Sequence, residues 1–100
     1  MPKPRPNART RLKQLNAVLE ALTHPARRQI LMTIHFRGGE MTAGDIAARF
    51  RHSWPTTTRH LGVLEKARLI KATRKGRVRT YRLHLESLKV LNAWLGWFEN

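Results

Sequence analysis

The chain has 100 residues, 41% of them apolar, no cysteine, and 20 Lys+Arg against 6 Asp+Glu, a formal charge of +14. That length carries one domain, the apolar share excludes a disordered tail, and the missing cysteines exclude disulfides and thiolate metal sites. So basic a chain repels itself, which points to a polyanionic partner; nucleic acid ranks above an acidic membrane surface because no long basic amphipathic helix stands out.

The chain opens on MPKPRPNARTR, with three prolines in its first six residues. Residues 1–10 therefore read as an extended, flexible basic arm and residues 11–100 as the folded domain. No apolar stretch follows the arm and no apolar run reaches about 18 residues, so neither a signal peptide nor a membrane span is expected. The expected location is the cytoplasm, with the nucleoid of a prokaryotic cell. From Leu12 the apolar residues Leu12, Leu15, Leu19 and Leu22 follow a helical spacing. The sequence THP interrupts it, with Thr23 or His24 as a cap and Pro25 in the first turn of a second helix. That helix carries Ile30, Leu31, Ile34 and Phe36 and ends at Gly38-Gly39.

Next comes TAGDIAARF, where Thr42 and Asp45 resemble a capping box and Ile46, Ala47 and Phe50 form an apolar face. Only RHS separates it from SWPTTTRHLGVLEKARL, and two short helices joined by so short a turn are the shape of a helix-turn-helix. The second helix opens on poor helix formers: Trp54, Pro55 and three threonines. Ser53 can cap it, and Pro55 is tolerated in the first turn. On a helical wheel Thr57, Leu61 and Leu64 point inward, while Pro55, Thr56, Arg59, Val63 and Lys66 point outward with Thr58 and His60 on the flanks. The threonines cost only a few tenths of a kcal/mol each in helix propensity. In exchange Thr56 and Thr58 offer compact donors and acceptors at the end of the helix that such motifs place in a major groove.

After Leu69 the period changes. IKATRKGRVRTYRL predicts a hairpin over 70–74 and 78–83 with its tip near Lys75-Gly76. Arg68, Lys71, Arg74, Lys75, Arg77, Arg79 and Arg82 make seven cations from 68 to 82 with no acid among them. A cationic hairpin directly after a helix-turn-helix is where a wing would meet phosphates or the minor groove. The last segment repeats the helical spacing at Leu88, Leu91, Leu95 and Phe98, with Trp94 and Trp97 alongside. The order predicts a mainly α (α+β) chain of about five helices, with a two-stranded hairpin wing between the fourth and fifth. The seams of the first and last helices either pack on each other or pair with a second subunit. Their aromatic load favours a dimer.

Catalysis finds no support. Glu20, Glu40, Asp45, Glu65, Glu86 and Glu99 lie in different elements, and no nucleophile elbow or phosphate loop is present. His24, His35, His52, His60 and His84 form no metal-ligand spacing; His24 reads as a cap, His35 as a half-buried ring and His52 as a turn residue. Neither a metal nor a cofactor is expected, although a zinc site shared with carboxylates across a subunit boundary stays open.

The ordered set LEALTHPARRQIL, AGDIAARF, SWPTTTRHLGVLEKARLI and RKGRVRTYRL resembles the ArsR/SmtB family of winged helix-turn-helix repressors, from about Leu12 to Leu95. The resemblance implies a sequence-specific regulator of transcription that binds duplex DNA and represses. It implies a homodimer held by its first and last helices, here through Leu12, Leu15, Leu19, Leu88, Leu91, Trp94, Leu95 and Phe98. It implies a palindromic operator read by two recognition helices, with helix 54–67 and wing 70–83 as the reading elements. By position the DNA-contacting set is Ser53, Trp54, Thr56, Thr58, Arg59 and His60 with Arg74, Lys75, Arg77 and Arg79. Trp54 departs from the family's small or polar residue, and either contacts DNA or packs against the preceding helix. Thr57 departs from an aliphatic one. Metal-sensing members carry a cysteine motif or paired ligands on the last helix, whereas residues 85–100 hold no histidine, so the chain resembles the branch without recognised metal sites. An inducer is not identifiable. The alternatives are a metal-dependent sensor using His and carboxylate ligands and a sequence-independent nucleoid or RNA-binding protein.

Overall fold

Helix starts and stops follow from local chemistry along the chain. The computed structural model describes residues 8–99. Helix α1 (Ala8–Leu22) already includes residues 8–10 of the expected arm; the rest of that arm lies outside the described residues. Helix α2 (Pro25–Phe36) has His24 as its N-cap, the ring Nδ1 accepting from the Ala26 backbone N–H at 3.2 Å. It ends in a Schellman motif: Gly38 at φ 101° donates to His35 O and Gly39 to Ile34 O at 2.8 Å. Thr42 caps helix α3 (Ala43–Arg49), its Oγ1 accepting from the Asp45 N–H. Ser53 caps α4 (Trp54–Lys66), accepting from the Thr56 N–H, with Pro55 in the first turn. Helix α4 closes like α2, Arg68 donating to Glu65 O and Leu69 to Leu64 O. Here the left-handed position falls on Arg68 at φ 61°, where glycine is the unstrained residue.

The expected two-stranded wing gains a third strand. Strand β1 (Glu40–Thr42) pairs antiparallel with β3 (Val78–Leu83), which pairs in turn with β2 (Ile70–Lys75), giving the order β1-β3-β2. Met41 sits opposite Tyr81 in the register, and both are buried. Three residues are too short to display alternation, so only the pairing with β3 reveals β1 as a strand. The hairpin turns at Gly76, φ 61°, as its position near the tip predicts.

The core joins Val18 and Ala21 of α1, Ile30 and Ile34 of α2, Ile46 of α3, and Leu61 and Leu64 of α4 to Met41, Leu69, Ile70 and Tyr81. Helix α5 (Glu86–Gly96) lies along α1 and buries none of its residues fully; Leu88 and Leu91 are its half-buried contacts with this core. One expectation on α2 changes: His35 is exposed instead of half-buried, with its ring edge against Phe36, itself 81% exposed.

Thr57 points inward, as the wheel predicts. Its Oγ1 is the buried side-chain oxygen that finds no hydrogen-bond partner among the described residues. A stranded hydroxyl costs about 1–3 kcal/mol. Thr57→Val keeps the shape and removes that hydroxyl, so thermal unfolding should shift upward by several degrees, at about 4–8 °C per kcal/mol for a domain of this size. An unchanged or lower melting point would mean that the hydroxyl is satisfied.

Candidate nucleic-acid interface

The first two turns of α4 carry the outward side chains that the sequence singles out. Leu61 and Leu64 fasten the helix from beneath, which frees the opposite side of its N-terminal end. Ser53 Oγ donates to Thr56 Oγ1 at 2.9 Å while capping the helix. Thr56 is half-buried; Ser53, Thr58 and Arg59 are exposed. Trp54 is 54% exposed, so it presents its indole to solvent instead of disappearing under α3. Trp54 and Thr58 line one groove with Arg77, Val78 and Arg79 of the wing and with Thr42, Ala43 and Gly44 at the start of α3.

The wing's cations are differently held. Arg74 Nε donates to Gly76 O at 3.2 Å, which bends its side chain back over the tip. Lys75 and Arg77 are exposed, and among the described residues no carboxylate pairs with them, with Arg59 or with Arg74. Arg79 lies 3.3 Å from Glu65 of α4, with its guanidinium 5.5 Å above the Tyr81 ring. That exposed ion pair adds little stability, but it ties the wing to the recognition helix and orients Arg79. The burial of the Tyr81 hydroxyl raises its pKa above the usual tyrosine value, against the opposing pull of Arg79. Glu65 is a residue that sequence reasoning passed over; a lone acid three residues before Arg68 gives no sign of a partner on the next hairpin.

His60 is the correction. It was expected on the flank that faces DNA, yet its side chain is 7% exposed and turns toward α2. Its ring lies 4.5 Å from that of His24 and 5.9 Å from that of His52, with Arg27 Nη1 3.5 Å from Nδ1. Burial lowers its pKa below 6.5, and His24, Arg27, His52 and Arg59 push in the same direction. A ring so placed packs beneath α4 against His24 and Arg27 instead of standing on its exposed face. His60 falls on a flank of the wheel, where the neighbouring helix decides which way the side chain goes.

The expected dimer seam divides in two. Leu15 is buried within the chain, and Leu19, Leu88, Leu91 and Trp94 are half-buried between α1, α5 and the core. Leu12, Leu95 and Phe98 remain exposed, joined by Trp97 at 75%. Leu12, Leu15, Val90, Ala93, Trp94 and Trp97 frame an apolar cleft between α1 and α5. Among the described residues, no group of three or more His, Asp or Glu side chains is placed to hold a metal, and no helix is long and apolar enough to cross a membrane.

A sequence model of the MarR family matches residues 23–79, which run from the cap of α2 into β3. Other similarities extend over α1 and α5. The chain is 40% identical to the transcriptional repressor SdpR of Bacillus subtilis over 81% of its own length and 88% of the relative's. It is 31% identical to the arsenical resistance operon repressor of Staphylococcus xylosus over 80% of its length and 75% of the relative's. A crystal structure of an ArsR family transcriptional regulator superposes with a TM-score of 0.79 at 31% identity, covering 89% of this chain and 95% of that one. The solution structure of a homodimeric winged helix-turn-helix DNA-binding domain from Mycobacterium bovis, a possible ArsR-family regulator, gives 0.73 at 27% identity over 96% and 87%. The MarR match runs from α2 into the wing, while the matches to repressors and to an ArsR family regulator cover 80% or more of the chain: the chain belongs to the ArsR/SmtB family of winged helix-turn-helix transcriptional repressors.

Proposed function

We propose that the protein works as a homodimer that binds a palindromic duplex operator and represses transcription by occupying it. The observation that carries this reading is the shared groove, which Trp54 and Thr58 of α4 line together with Arg77 and Arg79 of the wing, while Arg59 is exposed on the same end of α4. Helix α4 enters the major groove by its N-terminal end, and the wing lies along the backbone. Thr56, Thr58, Arg59 and Trp54 meet base edges; Ser53, Arg74, Lys75, Arg77 and Arg79 serve phosphates. His60 has no place in this set. The exposed Leu12, Leu95, Trp97 and Phe98 form the seam between protomers, in keeping with the homodimeric neighbour. Such a protein works at the chromosome, in the cytoplasm of a prokaryotic cell.

Selection of bound duplexes from a random pool tests the whole reading. A palindrome with half-site centres about one helical turn, or a multiple of it, apart is expected. Recovery of unrelated sequences would instead mark a sequence-independent nucleic-acid binder. Sedimentation at micromolar concentration should give a dimer.

Arg59 provides the sharper check on base reading. If it grips a guanine through O6 and N7, Arg59→Ala should cost about 1–3 kcal/mol on the selected duplex and much less on a random one. Equal losses on both duplexes would assign Arg59 to a phosphate.

A further inference from the structure

Three imidazoles meet where α4 rests on α2, and the DNA contacts proposed above use none of them. We propose that His60, with His24 and His52, is a positioning residue that clamps the recognition helix onto α2, and that this clamp opens in mild acid and releases the operator. The proposal rests on the DNA-reading function above.

The cluster sits under the half of α4 that reads. Leu61 and Leu64 anchor the helix to the core, whereas His60 holds the two turns that carry Trp54, Thr56, Thr58 and Arg59. The groups facing it are all basic. From α2 and its N-cap come Arg27 and His24, from the turn before α4 comes His52, and from α4 itself Arg59. Arg27 is itself held to α1, donating to the Glu20 carbonyl. Among the described residues the carboxylates that form ion pairs are Glu65, Glu40 and Glu86, none of them here. A proton on the His60 ring thus faces the guanidiniums of Arg27 and Arg59 and, among these ion-paired carboxylates, no counter-charge.

The neutral state is the one the geometry suits. Nδ1 of His60 lies 3.5 Å from Arg27 Nη1 and can accept from it; a protonated ring presents an N–H to the guanidinium instead. His60 is also almost fully buried, so the charged form loses its hydration. The sign of the linkage follows. Because the folded ring holds its proton less tightly than the unfolded one, the fold is fully stabilised above about pH 6.5 and loses stability as the pH falls below that value. The loss stops once the folded ring is itself protonated. A charge added to the surface would by itself strengthen attraction to phosphate, so the clamp and simple electrostatics predict opposite changes.

The test compares wild type, His60→Gln and His24→Asn by fluorescence anisotropy at fixed ionic strength. The probes are the duplex selected from the random pool and a random duplex of equal length. Glutamine keeps an acceptor for Arg27 without titrating, and asparagine keeps the N-cap of α2 while removing one imidazole. From about pH 7.5 to about pH 5.5, wild type should lose roughly tenfold or more in affinity for the selected duplex, the scale set by one linked proton. Its affinity for the random duplex should hold or rise. His60→Gln should lose the pH dependence and His24→Asn should weaken it. If His60→Gln fails to fold by circular dichroism, His24→Asn decides alone. Wild-type affinity that stays level or rises in acid, or equal pH dependence in wild type and His24→Asn, overturns the clamp and leaves the DNA reader standing. Absence of any preferred duplex at pH 7.5 overturns both.

Discussion

Arg27→Ala is expected to remove about 2–3 kcal/mol from the stability of the domain, a large share of the 5–15 kcal/mol typical of a small protein. The reason lies at the end of α1. A helix leaves its last four carbonyls without partners inside the helix, and α1 ends at Leu22 without a glycine to wrap them. Arg27 reaches back from α2 instead. Its Nε donates to Ala21 O at 2.6 Å and its Nη2 to Glu20 O at 3.3 Å. Arg28 Nη1 takes Leu22 O at 2.7 Å and Thr23 O at 3.2 Å. Two guanidiniums thus do what a C-terminal glycine does elsewhere, and their charge also suits the negative end of the helix dipole.

Arg27 is the better placed of the pair, being half-buried while Arg28 is exposed. The Arg28→Ala loss should therefore be the smaller of the two. Lysine keeps the charge but not the planar fork, so Arg27→Lys should recover only a minor part. Urea denaturation of the three variants checks the order. Full rescue by lysine would show that charge at the helix end, not the two directed hydrogen bonds, sustains the joint.

Affinity for the operator is expected to fall by about 10³–10⁵ between roughly 50 and 200 mM salt. In the proposed dimer the wing cations Arg74, Lys75, Arg77 and Arg79 of two protomers would offer about eight phosphate contacts, within the range that gives such losses. A logarithmic plot of affinity against salt should then have a slope near about −7. Neutralising Lys75 and Arg77, which carry no pairing carboxylate among the described residues, should flatten the slope by about two contacts per protomer. The preference for the selected duplex should survive, because phosphate contacts carry no base information. A complex insensitive to salt would sink the electrostatic account of the wing.

Much of this architecture is legible in the residues because it is decided locally. The caps at His24, Thr42 and Ser53, the prolines at the helix starts and the glycines at 38, 39 and 76 act within a few residues of themselves. The inward turn of Thr57 follows from its place between Leu61 and Leu64 on one wheel. Where an element is short or a residue sits on a flank, the local rules fall silent. Strand β1 exists because β3 offers it a ladder; alone, three residues would not choose an extended form. His60 could face either groove or neighbour, and the proximity of His24, His52 and Arg27 settles the choice.

Glu65 and Arg27 were invisible for the same reason, since their partners lie on other elements and charge pairs across elements leave no periodic trace. By itself the sequence determined the order of the helices, their caps, the cationic hairpin and the outward face of α4, because each of these is a matter of spacing along one segment. The tertiary structure alone decided the third strand, the capping of α1 from α2, the pinning of Arg79 and the burial of His60. Each of those is a contact between segments far apart in the chain, and its energy appears only when the fold brings them together.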